Sequence, residues 1–157
     1  MTAIRCVLAQ YSIRIRPFML RLHAILETSL CVTDLMRAVV FYRDVLGLRL
    51  INDAVFPEDR GAAFQVGGGP SVLLIFRADV TQLPGVLPPH GTTGAGHAAF
   101  RVEPDELPAW RQRLQQHGVP IEKEFAFGNN PPSIYFRDPD GNSLEFAVAT
   151  IWDLKSG

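Results

Sequence analysis

Only two of the 157 residues are cysteine, Cys6 and Cys31. That is too few for a disulfide framework, so a reducing, cytoplasmic setting is the expectation. No run approaches the roughly 18 to 20 apolar residues a membrane span needs, which removes a membrane from the expected partners. Charge of one sign is also missing, with 15 Lys and Arg against 16 Asp and Glu and no basic block. Nucleic acid and anionic lipid surfaces are thereby excluded as main partners. What is present is ordinary for a soluble domain, with 47% apolar residues, enough to bury one core.

Residues 1–21 carry arginines and no acid, and they lack an apolar stretch followed by a small-residue cleavage site, so a loosely attached extension is expected there rather than a secretory signal. From residue 22 the pattern is strand, helix, three strands, and then the same again. "LETSLCV" alternates as a strand. "TDLMRAVVFYRDVLG" follows as an amphipathic helix, with Thr33 or Asp34 to cap its start and Gly47 to stop it. Strands are expected at 48–53, 61–66 and 71–77, with Gly67 to Gly69 as a hairpin turn. A Pro-, Gly- and Thr-rich linker, 78–95, joins a second module, 96–150, to the first, 22–77. The second module has a strand at "HAAFRV", a helix ending at Gly118, and strands at 120–126, 133–138 and 143–149. Residues 151–157 form a tail. The copies align at a spacing of about 70 residues, so the expected fold is α+β: two tandem βαβββ modules forming a cupped mixed sheet, with helices on the outside.

Strand alternation then sorts side chains onto the faces turned away from the helices. The first strand turns Ile25, Glu27, Ser29 and Cys31 away, and the strand at 97 turns away His97, Ala99 and Arg101. The last strand does the same with Ser143, Glu145 and Ala147. Three strands thus each offer one metal-ligating side chain among small neighbours. A partly buried carboxylate such as Glu145 is costly without a positive partner, and a divalent ion held by Glu27, His97 and Glu145 would satisfy all three. Two carboxylates and one imidazole suit Mn, Fe, Ni, Co or Zn better than Ca or Mg. The plainer reading is that each is a solvated, ion-paired or core-satisfied side chain. Tyr135 could donate a proton or hold a substrate oxygen. Arg101 and Arg137 could steer an anionic substrate or pair with nearby acids, and His90 could close the linker over a cleft.

"SLCVTDLMRAVVFYRDVLGLRL" and "SIYFRDPDGNSLEFA" resemble the two signature stretches of the vicinal oxygen chelate superfamily, which includes glyoxalase I, fosfomycin-resistance thiol transferases, extradiol dioxygenases and bleomycin-resistance proteins. The resemblance spans roughly 22–150. It implies one metal-bearing cup, a small-molecule substrate bound through neighbouring oxygens, and a homodimer. Carried over position by position, its ligands fall on Glu27, His97 and Glu145, the residues the alternation selects. The substrate-holding hydroxyls of the fosfomycin group fall on Ser29, Ser133 and Tyr135. This chain departs from the pattern in three places. Glu27 stands where His or Gln is common, "SVLLIF" lacks the fourth acidic ligand of glyoxalase I, and "AVATIWDLKSG" lacks the phosphonate-clamping arginine. The resulting expectation is a metal-dependent isomerase, lyase or dioxygenase. The alternatives are a metal-free drug-binding protein of the bleomycin-resistance kind and a fosfomycin-type thiol transferase.

Overall fold

The structure, a computed structural model, describes residues 23–51, 60–84 and 88–152. The expected extension and tail lie outside them, apart from residues 151 and 152. Each module forms a mixed four-stranded sheet. The first contains β1 (Glu27–Val32), β2 (Arg49–Ile51), β3 (Gly61–Gln65) and β4 (Val72–Arg77), in spatial order β1-β4-β3-β2. The second contains β5 (His97–Arg101), β6 (Ile121–Phe125), β7 (Ser133–Arg137) and β8 (Ser143–Ala147), in the matching order β5-β8-β7-β6. In both, the first strand runs parallel to the last and the other pairs are antiparallel. The duplication read from the sequence is therefore a duplication of topology.

The first module's helix begins as α1 (Leu35–Val40), capped by the Asp34 side chain accepting from Arg37 N–H. That cap contributes about 1 kcal/mol. Thr33, the other capping candidate, is bonded elsewhere. The helix then widens into a π-helical turn (Phe41–Val45), which buries Phe41, Tyr42 and Val45 together. Left-handed glycines end both modules' helices, Gly47 at φ 68° and Gly118 at φ 67°. In the linker, a short helix α2 (Ala78–Thr81) forms where the composition suggested only loop. In the second module a 3-10 turn (Pro104–Glu106) leads into α3 (Leu107–Gln116), whose Leu107 and Leu114 are buried and whose Trp110 ring packs 4.4 Å from Phe146. The last strand ends at Ala147, and a 3-10 turn (Ala149–Trp152) takes over where strand was expected to continue.

One core cluster draws on both modules, from Leu30, Tyr42 and Phe64 to Ile134, Phe136, Leu144 and Phe146. Each fully buried aromatic among them contributes roughly 1.5–3 kcal/mol of transfer free energy. Leu26, in phase with the buried Leu30 and Val32 along the first strand, is nevertheless 62% exposed. It precedes β1 and lines a crevice shared with Ala98 to Arg101 of the second module instead of joining the core cluster.

A polar clasp also joins the modules. Thr33 donates both its N–H and its hydroxyl to Asp140 Oδ1, Tyr42 donates to Asp138 Oδ2 at 2.9 Å, and the Arg113 guanidinium donates to the carbonyls of Asp44 and Val45. Burial raises the Tyr42 hydroxyl far above its ordinary pKa, and the adjacent Asp138 charge adds to the rise. Burial would raise the Asp140 carboxyl as well, but the Thr33 bonds and the Arg37 guanidinium outweigh it and hold the group below the usual carboxylate value. A carboxyl depressed in the folded state stabilises the fold above its unfolded pKa, and that contribution is lost as pH falls through the folded one. Urea titrations from pH 6 down to pH 3 should show stability falling less steeply in Asp140→Asn than in the parent chain. Equal slopes would remove Asp140 from the clasp.

Candidate metal centre

Sheet register explains why certain polar groups meet on the second module. Across the face turned from α3, Ala99 pairs with Glu145, Glu145 with Tyr135, and Tyr135 with Lys123. Glu145 is thus the middle of a four-strand row. It is only 6% exposed, so the face expected to be open is closed over its carboxylate. The Tyr135 hydroxyl donates to Glu145 Oε1 at 2.9 Å. Directly opposed residues in an antiparallel pair are near enough for such a bond.

His97 stands one row away and reaches Glu145 diagonally, with Nε2 3.5 Å from Oε2. Its Nδ1 lies 3.1 Å from the Ser143 carbonyl. A carbonyl oxygen only accepts, so Nδ1 carries the proton and donates, and in the neutral ring Nε2 is a bare lone pair. That lone pair faces a carboxylate oxygen. At 3.5 Å the two atoms are spaced so that a single metal ion could touch both. Backbone orientation of the distal nitrogen is how metal-ligating imidazoles are usually aimed.

The other candidates are more dispersed. Ser133, on β7, is buried 1% exposed, and its hydroxyl lies near Tyr135 without hydrogen-bond geometry. Desolvation raises the Tyr135 hydroxyl pKa first, the bond to Glu145 and its charge add to this, and Ser133 opposes it slightly. Arg137 is committed to Glu122 at 2.7 Å and to the Gly141 carbonyl, the ion-pair half of the two readings. Arg101 lies 3.5 Å from Glu103. Glu27 and Ser29 are exposed on β1 of the first sheet. Glu27 lines a crevice of about 240 Å³ that also contains Ala98 to Arg101 of β5. His90 sits against the first sheet instead, its ring edge-on to Phe76 at 5.2 Å and its backbone N–H donating to the Thr81 carbonyl. Among the described residues, no three His, Cys, Asp or Glu side chains converge as a ligand set. The structure brings His97, Glu145, Tyr135 and Ser133 together and leaves Glu27 apart.

Two residues near the site were missed by the sequence reading. Lys123 shares a hollow of about 210 Å³ with Phe125 and Tyr135, its ammonium 5.4 Å from the Phe125 ring centre. Alternation along "IEKEF" could have exposed it, but a register irregularity between Ile121 and Lys123 breaks the period. Asn142 lies in the D-P-D-G-N turn and contributes no charge, so nothing in its chemistry singled it out.

Comparison with known proteins bears on this site. The model of the Glyoxalase/Bleomycin resistance protein/Dioxygenase superfamily matches residues 22–146. A lactoylglutathione lyase from Salmonella typhimurium is 30% identical over 127 residues, 80% of this chain and 92% of the relative. A metallothiol transferase FosB from Staphylococcus saprophyticus is 28% identical over 133 residues, 84% of this chain and 81% of the relative. The crystal structure of a lactoylglutathione lyase from Agrobacterium tumefaciens superposes with a TM-score of 0.79 at 31% identity, covering 86% of this chain and all of that one. Among the described residues, no helix is long and apolar enough to cross a membrane.

Proposed function

The chain belongs to the glyoxalase/bleomycin resistance protein/dioxygenase superfamily, and from that premise we propose that it is a metal-dependent enzyme acting on a small substrate through neighbouring oxygens. The observation that carries the proposal is the His97 lone pair aimed at a buried carboxylate oxygen 3.5 Å away, with the ring's other nitrogen fixed by a backbone carbonyl. A divalent transition ion, Mn, Fe, Ni, Co or Zn, fits that imidazole and carboxylate pair, with Glu27 as the third donor. When bound, such an ion supplies Lewis acidity to an oxyanion or enolate as it forms.

The chain's own groups do the rest. Glu145 orients Tyr135 by accepting its one hydroxyl proton, which the raised pKa keeps on the phenol at neutral pH, and the phenol oxygen is left to accept from a substrate hydroxyl. Ser133, buried with its hydroxyl unbonded, offers a further contact to that substrate. The free face of β4 shows Val72, Leu74 and Phe76 and adds no acid, which leaves coordination positions open for substrate or water. The two relatives carry glutathione and thiol in their names, and Lys123 at the rim of the site suits the carboxylate of an anionic thiol or its adduct. A lyase or isomerase acting on such an adduct is the favoured subtype. Steering falls chiefly to Lys123, because Arg137 is bonded to Glu122 and Arg101 is ion-paired with Glu103. A metal-free drug binder is disfavoured by the buried Glu145 carboxylate, which an apolar guest would leave uncompensated.

We place the third ligand on a second copy of the chain, whose Glu27 completes the pair on this one. The support is that Glu27 is solvent-exposed and apart from His97 and Glu145, while Phe125 and Phe127 stay 46% and 41% exposed at the edge of the second sheet. Complementation tests this. Glu27→Ala and His97→Ala are each expected to bind no Mn²⁺ alone. Mixed and allowed to exchange, they should recover one intact site per heterodimer. Recovery of nothing would put all three ligands within one chain.

A further inference from the structure

We propose that Asn142 is a positioning residue that sets where His97 stands relative to Glu145 and ties the first module's β1 to that pair. The inference rests on the metal reading above. Asn142 is 1% exposed, and every polar group of its side chain is used. Its Oδ1 accepts the Gly96 N–H at 2.7 Å, and its Nδ2 donates to the Cys31 carbonyl at 3.0 Å and to Asp138 Oδ2 at 2.8 Å. Its backbone N–H donates to Asp138 Oδ1 at 2.8 Å and its carbonyl accepts from Asp138 N–H. A buried amide with both N–H donors and one acceptor lone pair of its carbonyl engaged is held in one orientation.

Its partners identify what that orientation controls. Gly96 immediately precedes His97, and Ser143, the residue after Asn142, donates its N–H to the Gly96 carbonyl at 2.9 Å. Gly96 is therefore gripped on both sides, by the Asn142 side chain and by the next backbone amide. The Ser143 carbonyl then accepts from His97 Nδ1. A shift of Asn142 moves the root of His97 and the acceptor that aims its ring. Cys31 extends the grip to β1, the strand that carries Glu27, at an edge the two sheets do not share by backbone bonds. Packing at this point leaves no slack. A Cβ on Gly96 would meet Leu30 Cδ2 at 2.7 Å and Asn142 Oδ1 at 3.3 Å.

Mn²⁺ titration of the metal-free full-length chain by calorimetry tests this, with the unfolding midpoint measured in parallel. Asn142→Ala is expected to weaken Mn²⁺ binding by roughly 10- to 100-fold, the range typical of groups that orient a ligand. Leu46→Ala, which opens a void at the end of the first module's helix, should lower the unfolding midpoint and leave the affinity within about twofold. If Asn142→Ala fails to fold, Gly96→Ala carries the same test, because its Cβ disturbs the same grip without removing the amide. A folded Asn142→Ala or Gly96→Ala that binds Mn²⁺ within twofold of the parent overturns the positioning role. A parent chain that binds no Mn²⁺, Fe²⁺, Ni²⁺, Co²⁺ or Zn²⁺ overturns the metal reading itself, and the two failures are told apart by that measurement.

Discussion

Glu145→Ala is expected to abolish metal binding, with affinity for Mn²⁺ falling on the order of 100-fold or more, beyond the loss typical of residues that only orient a ligand. The carboxylate is the middle of the row Ala99, Glu145, Tyr135, Lys123 and the one acid within reach of His97 Nε2 among the described residues. Glu145→Gln separates charge from shape. It keeps the volume and an acceptor for the Tyr135 hydroxyl but provides no anionic donor, so it should bind metal as poorly as the alanine variant while staying close to the parent in stability. Tyrosine titration reports the same change from the other side. Two of the three causes that raise the Tyr135 hydroxyl come from Glu145, its hydrogen bond and its charge, and both vanish in Glu145→Ala. The Tyr135 transition, identified by its absence in Tyr135→Phe, should therefore move to lower pH in Glu145→Ala. Metal binding that survives in Glu145→Gln would contradict the assignment, and an unmoved tyrosine transition would show that the 2.9 Å bond does not persist in solution.

The largest loss of stability is expected from Asp138→Ala. Asp138 is 4% exposed and accepts from the Tyr42 hydroxyl, the Asn142 side chain and the backbone N–H groups of Asp140 and Asn142. Removing it leaves four donors without their acceptor, at least two of them in the interior. Each buried unsatisfied donor costs about 1–3 kcal/mol, and the costs are not additive, so a total of about 4 kcal/mol is expected. For a chain of this size that lowers Tm by roughly 10 °C. Tyr42→Phe removes one donor and leaves the remaining bonds to Asp138 intact, and it should cost about 1 kcal/mol. Chemical denaturation at one fixed protein concentration measures both. If Asp138→Ala costs no more than Tyr42→Phe, Asp138 is not the hub of the clasp.

The parts of this molecule legible in the sequence are those governed by local periodicity. Alternation placed His97, Ala99, Ser143 and Glu145 on one face because a strand has a period of two whatever surrounds it. The stops at Gly47 and Gly118 were legible because only a left-handed residue closes a helix in that way. The repeat of about 70 residues became two sheets of matching strand order. Contacts between modules were not legible. Thr33 was a capping candidate by local rules, but Asp140, 107 residues away, takes its hydroxyl and Asp34 makes the cap. Asn142 falls within the second signature stretch, but its role arises only when Gly96 and Cys31 are brought to it. Lys123 was hidden by the break in register at the start of β6. Partial burial of Glu145 was expected, but not its extent, 6% exposed, since alternation assigns a face and not what covers it.

Metal content of the purified parent chain, measured by elemental analysis beside His97→Ala, tests the central claim most directly. The account predicts close to one transition-metal ion per chain in the parent and essentially none in the variant. A parent chain without metal, and with an unfolding midpoint unmoved when Mn²⁺, Fe²⁺, Ni²⁺, Co²⁺ or Zn²⁺ is added, would contradict it.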